Sequence, residues 1–283
     1  MHIRKFIFSF LLLVPFGLSA QTDVDAIMMG KRLFCVGPMY NYSGWENYWE
    51  GTLKRNNENL GVVTAQSFSV MGNYGITNKL NLLFSIPYVV TKASAGQLKG
   101  MQGVQDLSVM AKYRAFQKRA GEIKFALFGV AGVSVPIGNY SPDYLPLSIG
   151  LKSRTAFMRL LLDLHWKQKW FVTTLGTYTY RSNITLDRNS YYTTELVLSN
   201  EVRMYDVGSF QVRAGYRTGQ VIAEAVFNNF NTLGGFDISR NNMPFPSNRM
   251  NATTAGFNLK YVFIQKPETY ITGGVHKVVD LLQ

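Results

Sequence analysis

The residues of this chain best equipped for chemistry are ionic, and they are dealt out singly among apolar neighbours. Asp106, Lys112, Arg114, Glu122, Lys124, Arg159, Asp163, His165, Glu195, Glu201, Arg203, Arg213, Arg217 and Lys260 fall on the polar side of alternating segments. In an extended chain, side chains two apart share a face. A face with both signs of charge can neutralise itself or line a polar passage, and an excess of cations there attracts anions. Catalysis has thinner support. His165 shares its face with Asp163 and Arg159, and outside the first twenty residues His276 is the other histidine. A hydrolase needs a histidine base, a nucleophile and an orienting group within hydrogen-bond reach. Ser134, in Gly132-Val133-Ser134-Val135-Pro136, lacks the second glycine of a nucleophile elbow. Dinucleotide loops, phosphate loops and metal-ligand spacings are absent, so the chain is expected to carry no catalytic residue, metal or cofactor. The one cysteine, Cys35, excludes an intrachain disulfide framework.

The elements that carry these charges alternate with period two. Leu80, Leu82, Phe84, Ile86 and Tyr88 oppose Asn81, Ser85 and Pro87; Leu107, Val109, Ala111 and Tyr113 oppose Asp106, Ser108, Lys112 and Arg114. The pattern recurs near 123–134, 155–166, 195–204, 210–217 and 257–263, and less cleanly near 33–42, 61–76, 169–182 and 268–279. This periodicity predicts strands rather than helices. A soluble sandwich would bury the apolar face; an outer-membrane barrel would turn it to lipid and the charges to the lumen. Strand lengths near those a bilayer needs favour the barrel. So do aromatics near strand ends, Tyr88, Tyr113, Trp166, Trp170, Tyr178, Tyr180 and Tyr261. The connections also alternate between long and short, as external loops and periplasmic turns do.

Composition agrees with a folded, exported chain. Of 283 residues 47% are hydrophobic and 14% aromatic, too many for a disordered protein. Arg4 and Lys5 followed by apolar Phe6–Leu18 and Leu18-Ser19-Ala20 predict a signal peptide over residues 1–20, with the barrel over 21–283. The net charge of +12 does not mark a nucleic-acid partner, because the cations are scattered. The expected partners are outer-membrane lipid, a small solute and the barrel-assembly machinery. The fold class is an all-β antiparallel transmembrane barrel of about twelve strands. Residues 194–205 count as one strand, followed by a short connection from Asp206 to Ser209, and 208–227 as one tall strand, or as two if Thr218-Gly219 is a hairpin. The first option gives eleven strands, and because the final residues lack a strand-ending aromatic, the last strand is expected to be missing from this sequence.

Three blocks carry a resemblance: Tyr74-Gly75-Ile76-Thr77-Asn78-Lys79-Leu80 with Ser85-Ile86-Pro87-Tyr88; Val104-Gln105-Asp106-Leu107 with Ala111-Lys112-Tyr113-Arg114; and Gly132-Val133-Ser134-Val135-Pro136-Ile137-Gly138. Over roughly residues 60–150 the chain resembles the outer-membrane family of the meta-pathway of phenol degradation. That resemblance implies a Gram-negative, porin-like outer-membrane barrel that passes small, often hydrophobic or aromatic compounds, with no catalytic residues to carry over. The alternatives are a barrel with a plugged lumen acting through its loops and, last, an outer-membrane lipid hydrolase. Loops 41–61, with Trp45, Tyr48 and Trp49, and 228–251, with Phe230 and Met243-Pro244-Phe245-Pro246, either bind ligand at the mouth or pack into a rigid cap.

Overall fold

The computed structural model describes residues 22–238, 244–263 and 270–280. The expected leader and the turn expected at Gln265-Lys266-Pro267 lie outside the described residues. Eleven long strands follow one another: β1 Phe34–Trp45, β2 Val63–Gly75, β3 Leu80–Ala93, β4 Asp106–Ala120, β5 Ile123–Pro136, β6 Thr155–Trp166, β7 Trp170–Arg181, β8 Val207–Arg217, β9 Val221–Thr232, β10 Asn251–Val262 and β11 Tyr270–Asp280. Each pairs antiparallel with its sequence neighbours, so the sheet has no crossover. A short strand, Gln102–Val104, continues the β4 side of β3 toward the loop end. Among the described residues β1 and β11 are the two edges of this barrel sheet.

Connections at one end are short: 76–79, 121–122, 167–169 and 218–220. Those at the other are long: 46–62, 94–105, 137–154, 182–206 and 233–250. Lys167 and Gln168 adopt φ of 49° and 59°, the two consecutive positive values that a primed hairpin turn demands. The Thr218-Gly219 option is also realised. Thr218 Oγ1 accepts the Val221 N–H at 3.0 Å and fixes the turn between β8 and β9.

The expected strand over 194–205 is corrected. Residues 182–206 form one loop with two small hairpins, Ile184–Thr185 against Glu201–Val202 and Tyr191–Tyr192 against Leu196–Val197. Its alternation has another cause: Val202 and Met204 bury with Ile184 and Leu186 in a small loop core, packed by Leu151, Tyr191 and Phe245. With that segment moved from wall to loop and the β8–β9 hairpin added, long and short connections alternate without exception and eleven long strands result. Loop 233–250 packs too. Phe245 stacks with Tyr191 at 5.2 Å, lies 6.0 Å from Phe236 and under the Arg188 guanidinium at 5.4 Å. Arg188 pairs with Asp143 at 2.6 Å, so three loops form a cap.

The two faces of the wall differ. The outward positions of β5 to β10 carry no Lys, Arg, Asp or Glu. Large apolar side chains there are exposed, Met158 by 73%, Leu160 by 66% and Trp166 by 52%. Tyr113, Trp166, Trp170, Tyr216 and Tyr261 ring the short-turn end, while Tyr88, Tyr178 and Tyr180 ring the loop end. The inward face mixes ions with Leu83, Met110, Phe128, Val130, Leu161 and Leu175, an apolar belt that the N-terminal residues Val24, Ala26 and Met28 complete.

Candidate functional site

Period two puts Asp106, Lys112 and Arg114 of β4, Lys124 of β5, Arg159, Asp163 and His165 of β6, Arg213 and Arg217 of β8 and Lys260 of β10 on the inward face. Four expected members are elsewhere. Glu122 sits exposed in the β4–β5 turn, and Glu195, Glu201 and Arg203 lie exposed in loop 182–206. There Glu201 accepts from Asn183 Nδ2 at 2.7 Å and Arg203 stacks on Tyr205 at 5.1 Å.

Segment 22–33, which has no strand pattern and precedes the first expected strand, lies against the inward face of the sheet. At the short-turn end it is held by Lys31 N–H to Asn78 Oδ1 at 2.9 Å and by Arg32 N–H to Gly75 O at 2.7 Å. Gly75 is required for this approach, because a Cβ there would meet Gly30 O at 2.0 Å. Further in, Asp25 accepts from Thr22 N at 2.7 Å and Ile27 N at 2.9 Å, closing a tight loop. Lys112, 0% exposed, gives its ammonium to the Asp25 carboxylate at 3.0 Å, to Thr22 O at 2.9 Å and to Asp25 O. Burial alone raises the Asp25 pKa; the Lys112 charge and these hydrogen bonds outweigh it and hold the carboxyl below its ordinary value. Arg159 pairs with Asp23 while its Nε donates to Thr177 Oγ1 at 2.8 Å. Two strands along the wall, Arg213 pairs with Glu224, which also accepts from Asn258 Nδ2 at 3.0 Å.

Asp23 and Asp25 were missed by the sequence reading. The usable signal was two acids in a basic chain, within five residues of the expected cleavage site and on a stretch without alternation.

Toward the short turns the character changes. Arg114, Lys124, His165, Arg217 and Lys260 border a cavity of about 300 Å³ together with Asp163, Phe128 and Ile222. Asp163 accepts from Thr173 Oγ1 at 2.6 Å and lies 3.0 Å from His165 Nε2. The same Nε2 is 3.1 Å from Arg217 Nη1. One nitrogen cannot both donate to the carboxylate and accept from the guanidinium, so His165 serves Asp163 or Arg217, depending on where its proton sits. Its partners are ionic groups, not a hydroxyl nucleophile. At the loop end Tyr140 donates to Asp106 Oδ1 at 2.6 Å, and burial with this contact raises the phenol pKa.

The sequence profile of a family described as "Putative MetA-pathway of phenol degradation" matches residues 55–263. No curated protein matches the chain. Among solved structures, the crystal structure of the COG4313 outer membrane channel from Pseudomonas putida F1 is similar, with a TM-score of 0.69 over 93% of this chain and 92% of that one, at 16% identity.

Proposed function

Because the chain belongs to the MetA-pathway of phenol degradation family, we propose that it is an outer-membrane barrel that passes small solutes, hydrophobic or aromatic ones included, and catalyses no reaction. The observation that carries this reading is the charge-free, exposed apolar outer face of β5 to β10, set against an ionic inner face. In water such a belt would be an aggregation surface. In lipid it is the required surface, since one Arg or Lys at the midplane costs about 2–4 kcal/mol. The structural similarity to an outer membrane channel supports the same reading. Export by a leader over residues 1–20 and insertion by the barrel-assembly machinery follow from it. The inward residues Asp106, Lys112, Arg114, Lys124, Arg159, Asp163, His165, Arg213, Arg217 and Lys260 line the path.

One observation favours the plugged-barrel alternative: the N-terminal segment fills the centre and fully buries Lys112. Liposome swelling separates the two. A channel whose plug moves gives solute entry with the intact protein, whereas a permanently plugged barrel gives none until the plug is cut away. Heat-modifiable migration of the outer-membrane fraction tests barrel and location together; migration unchanged by boiling, or recovery from the soluble fraction, overturns both.

A further inference from the structure

Three cations near the short-turn mouth lack, among the described residues, the acids that their counterparts deeper in the barrel possess. Lys112, Arg159 and Arg213 each hold a carboxylate. Arg114, Lys124 and Arg217 border one cavity, and among the described residues none of the three makes an ion pair with Asp or Glu. Arg114 donates only to neutral oxygens, Gln117 Oε1 at 2.9 Å and Asn78 O at 3.0 Å. Arg217 lies 4.1 Å over the Phe171 ring, touches His165 Nε2, and has a buried Nε with no hydrogen-bond partner. The cavity's own acid, Asp163, is engaged by Thr173 and His165. Facing these cations are Ala126, Phe128, Ile222 and Met28.

The geometry points to a binding site for a small apolar carboxylate in this vestibule. The acid group takes the unmatched charge of Lys124 and Arg217, and the apolar body rests on Phe128 and Ile222. A bare inorganic anion would use the cations and leave the apolar wall wet; a neutral ring would fill the wall and leave the buried donor unanswered. When Arg217 turns to the carboxylate, His165 Nε2 is released to donate to Asp163, so the acid in the wall stays satisfied. A cavity of about 300 Å³ lies at the small end of ligand sites, which span roughly 300–1,000 Å³; that suits a single ring or a short chain. This site deepens the passage reading, on which it rests for its place along the solute path, but binding itself needs no flux.

Calorimetry on the full chain in lipid nanodiscs tests the site, with benzoate, its neutral isostere benzamide and inorganic phosphate as probes. Charge-assisted hydrogen bonds of this kind predict benzoate binding about tenfold or more tighter than either control. Lys124→Gln, which replaces a side chain that makes no hydrogen bond among the described residues, weakens benzoate by a similar factor and leaves migration on gels unchanged. Arg188→Gln, in the loop cap, binds as the wild type does. Benzamide or phosphate binding as tightly as benzoate, or undiminished benzoate binding by Lys124→Gln, overturns the site. Liposome swelling on the same preparations keeps the two ideas apart. Swelling without benzoate binding overturns the site and leaves passage standing, while benzoate binding without swelling supports the site and overturns passage.

Discussion

The centre of the lumen and its short-turn mouth are built from the same residue types and differ in bookkeeping of charge. At the centre every lumen cation named above has an acid: Lys112 with Asp25, Arg159 with Asp23, Arg213 with Glu224. At the mouth Arg114, Lys124 and Arg217 have none among the described residues. Burial separates the extremes of the division. Lys112 is sealed from solvent, where an unpaired charge is intolerable, while Arg114, Lys124 and Arg217 are only partly buried and keep part of their hydration. Ions in a barrel therefore do two jobs. Matched ones fix structure, here the seat of the N-terminal segment; unmatched ones, between low-dielectric walls, leave a net field, which on the proposed reading is the field a solute meets.

The most damaging way to break this comparison is to unmatch a central charge. Asp25→Ala strands the Lys112 ammonium in a dry site, and removal of one partner of a buried pair costs about 3–5 kcal/mol. The expected outcome is an unseated segment and a several-fold rise in single-channel conductance. Adding Lys112→Met should restore the low conductance, because an apolar replacement of the whole pair is tolerated. High conductance in the double variant would show that loss of the pair itself, and not the stranded ammonium, unseats the segment. Acid should reproduce the effect without mutation. The Asp25 carboxyl is held below its ordinary 3.8 when seated, so its contribution is complete above that value and is lost only as pH falls through the lower, seated one. Conductance should stay flat from neutrality to about pH 4 and climb below it.

Legibility in the sequence followed the same division. Period two placed ten of the fourteen expected lumen residues on the inward face, because a wall with an apolar outer side and an ionic inner side forces strict alternation. The same signal misled at Val202 and Met204. A loop core that buries alternate residues imitates a wall, and only the neighbours Ile184, Leu186 and Phe245 distinguish them. The segment bearing Asp23 and Asp25 was illegible for a different reason. It has no regular structure of its own and takes its path from partners some ninety residues or more away, Lys112 and Arg159, which no local pattern encodes.

A milder perturbation is Arg159→Ala. It removes one anchor, the Asp23 pair and the Thr177 contact, from a site that keeps some solvent. A charge-assisted hydrogen bond contributes about 1.5–3 kcal/mol, and the Lys112 latch remains. Conductance should rise less than in Asp25→Ala, with brief openings in place of sustained ones. An effect as large as that of Asp25→Ala would mean that the two anchors act as one unit.

The smallest effect belongs to the mouth, and it sharpens the comparison most. Lys124 is partly buried and unpaired, so Lys124→Gln breaks no ion pair and should leave stability within about 0.5 kcal/mol. What it removes is field. In the Asp25→Ala background, where current is large enough to measure, the preference for chloride over potassium should fall by roughly twofold. The matched Arg213–Glu224 pair offers the contrasting substitution: replacing both members by Gln and Leu removes two opposite charges and should leave selectivity where it was. If the double replacement shifts selectivity and Lys124→Gln does not, the field at the mouth is not made by the unmatched cations, and the division between structural and solute-facing charge fails.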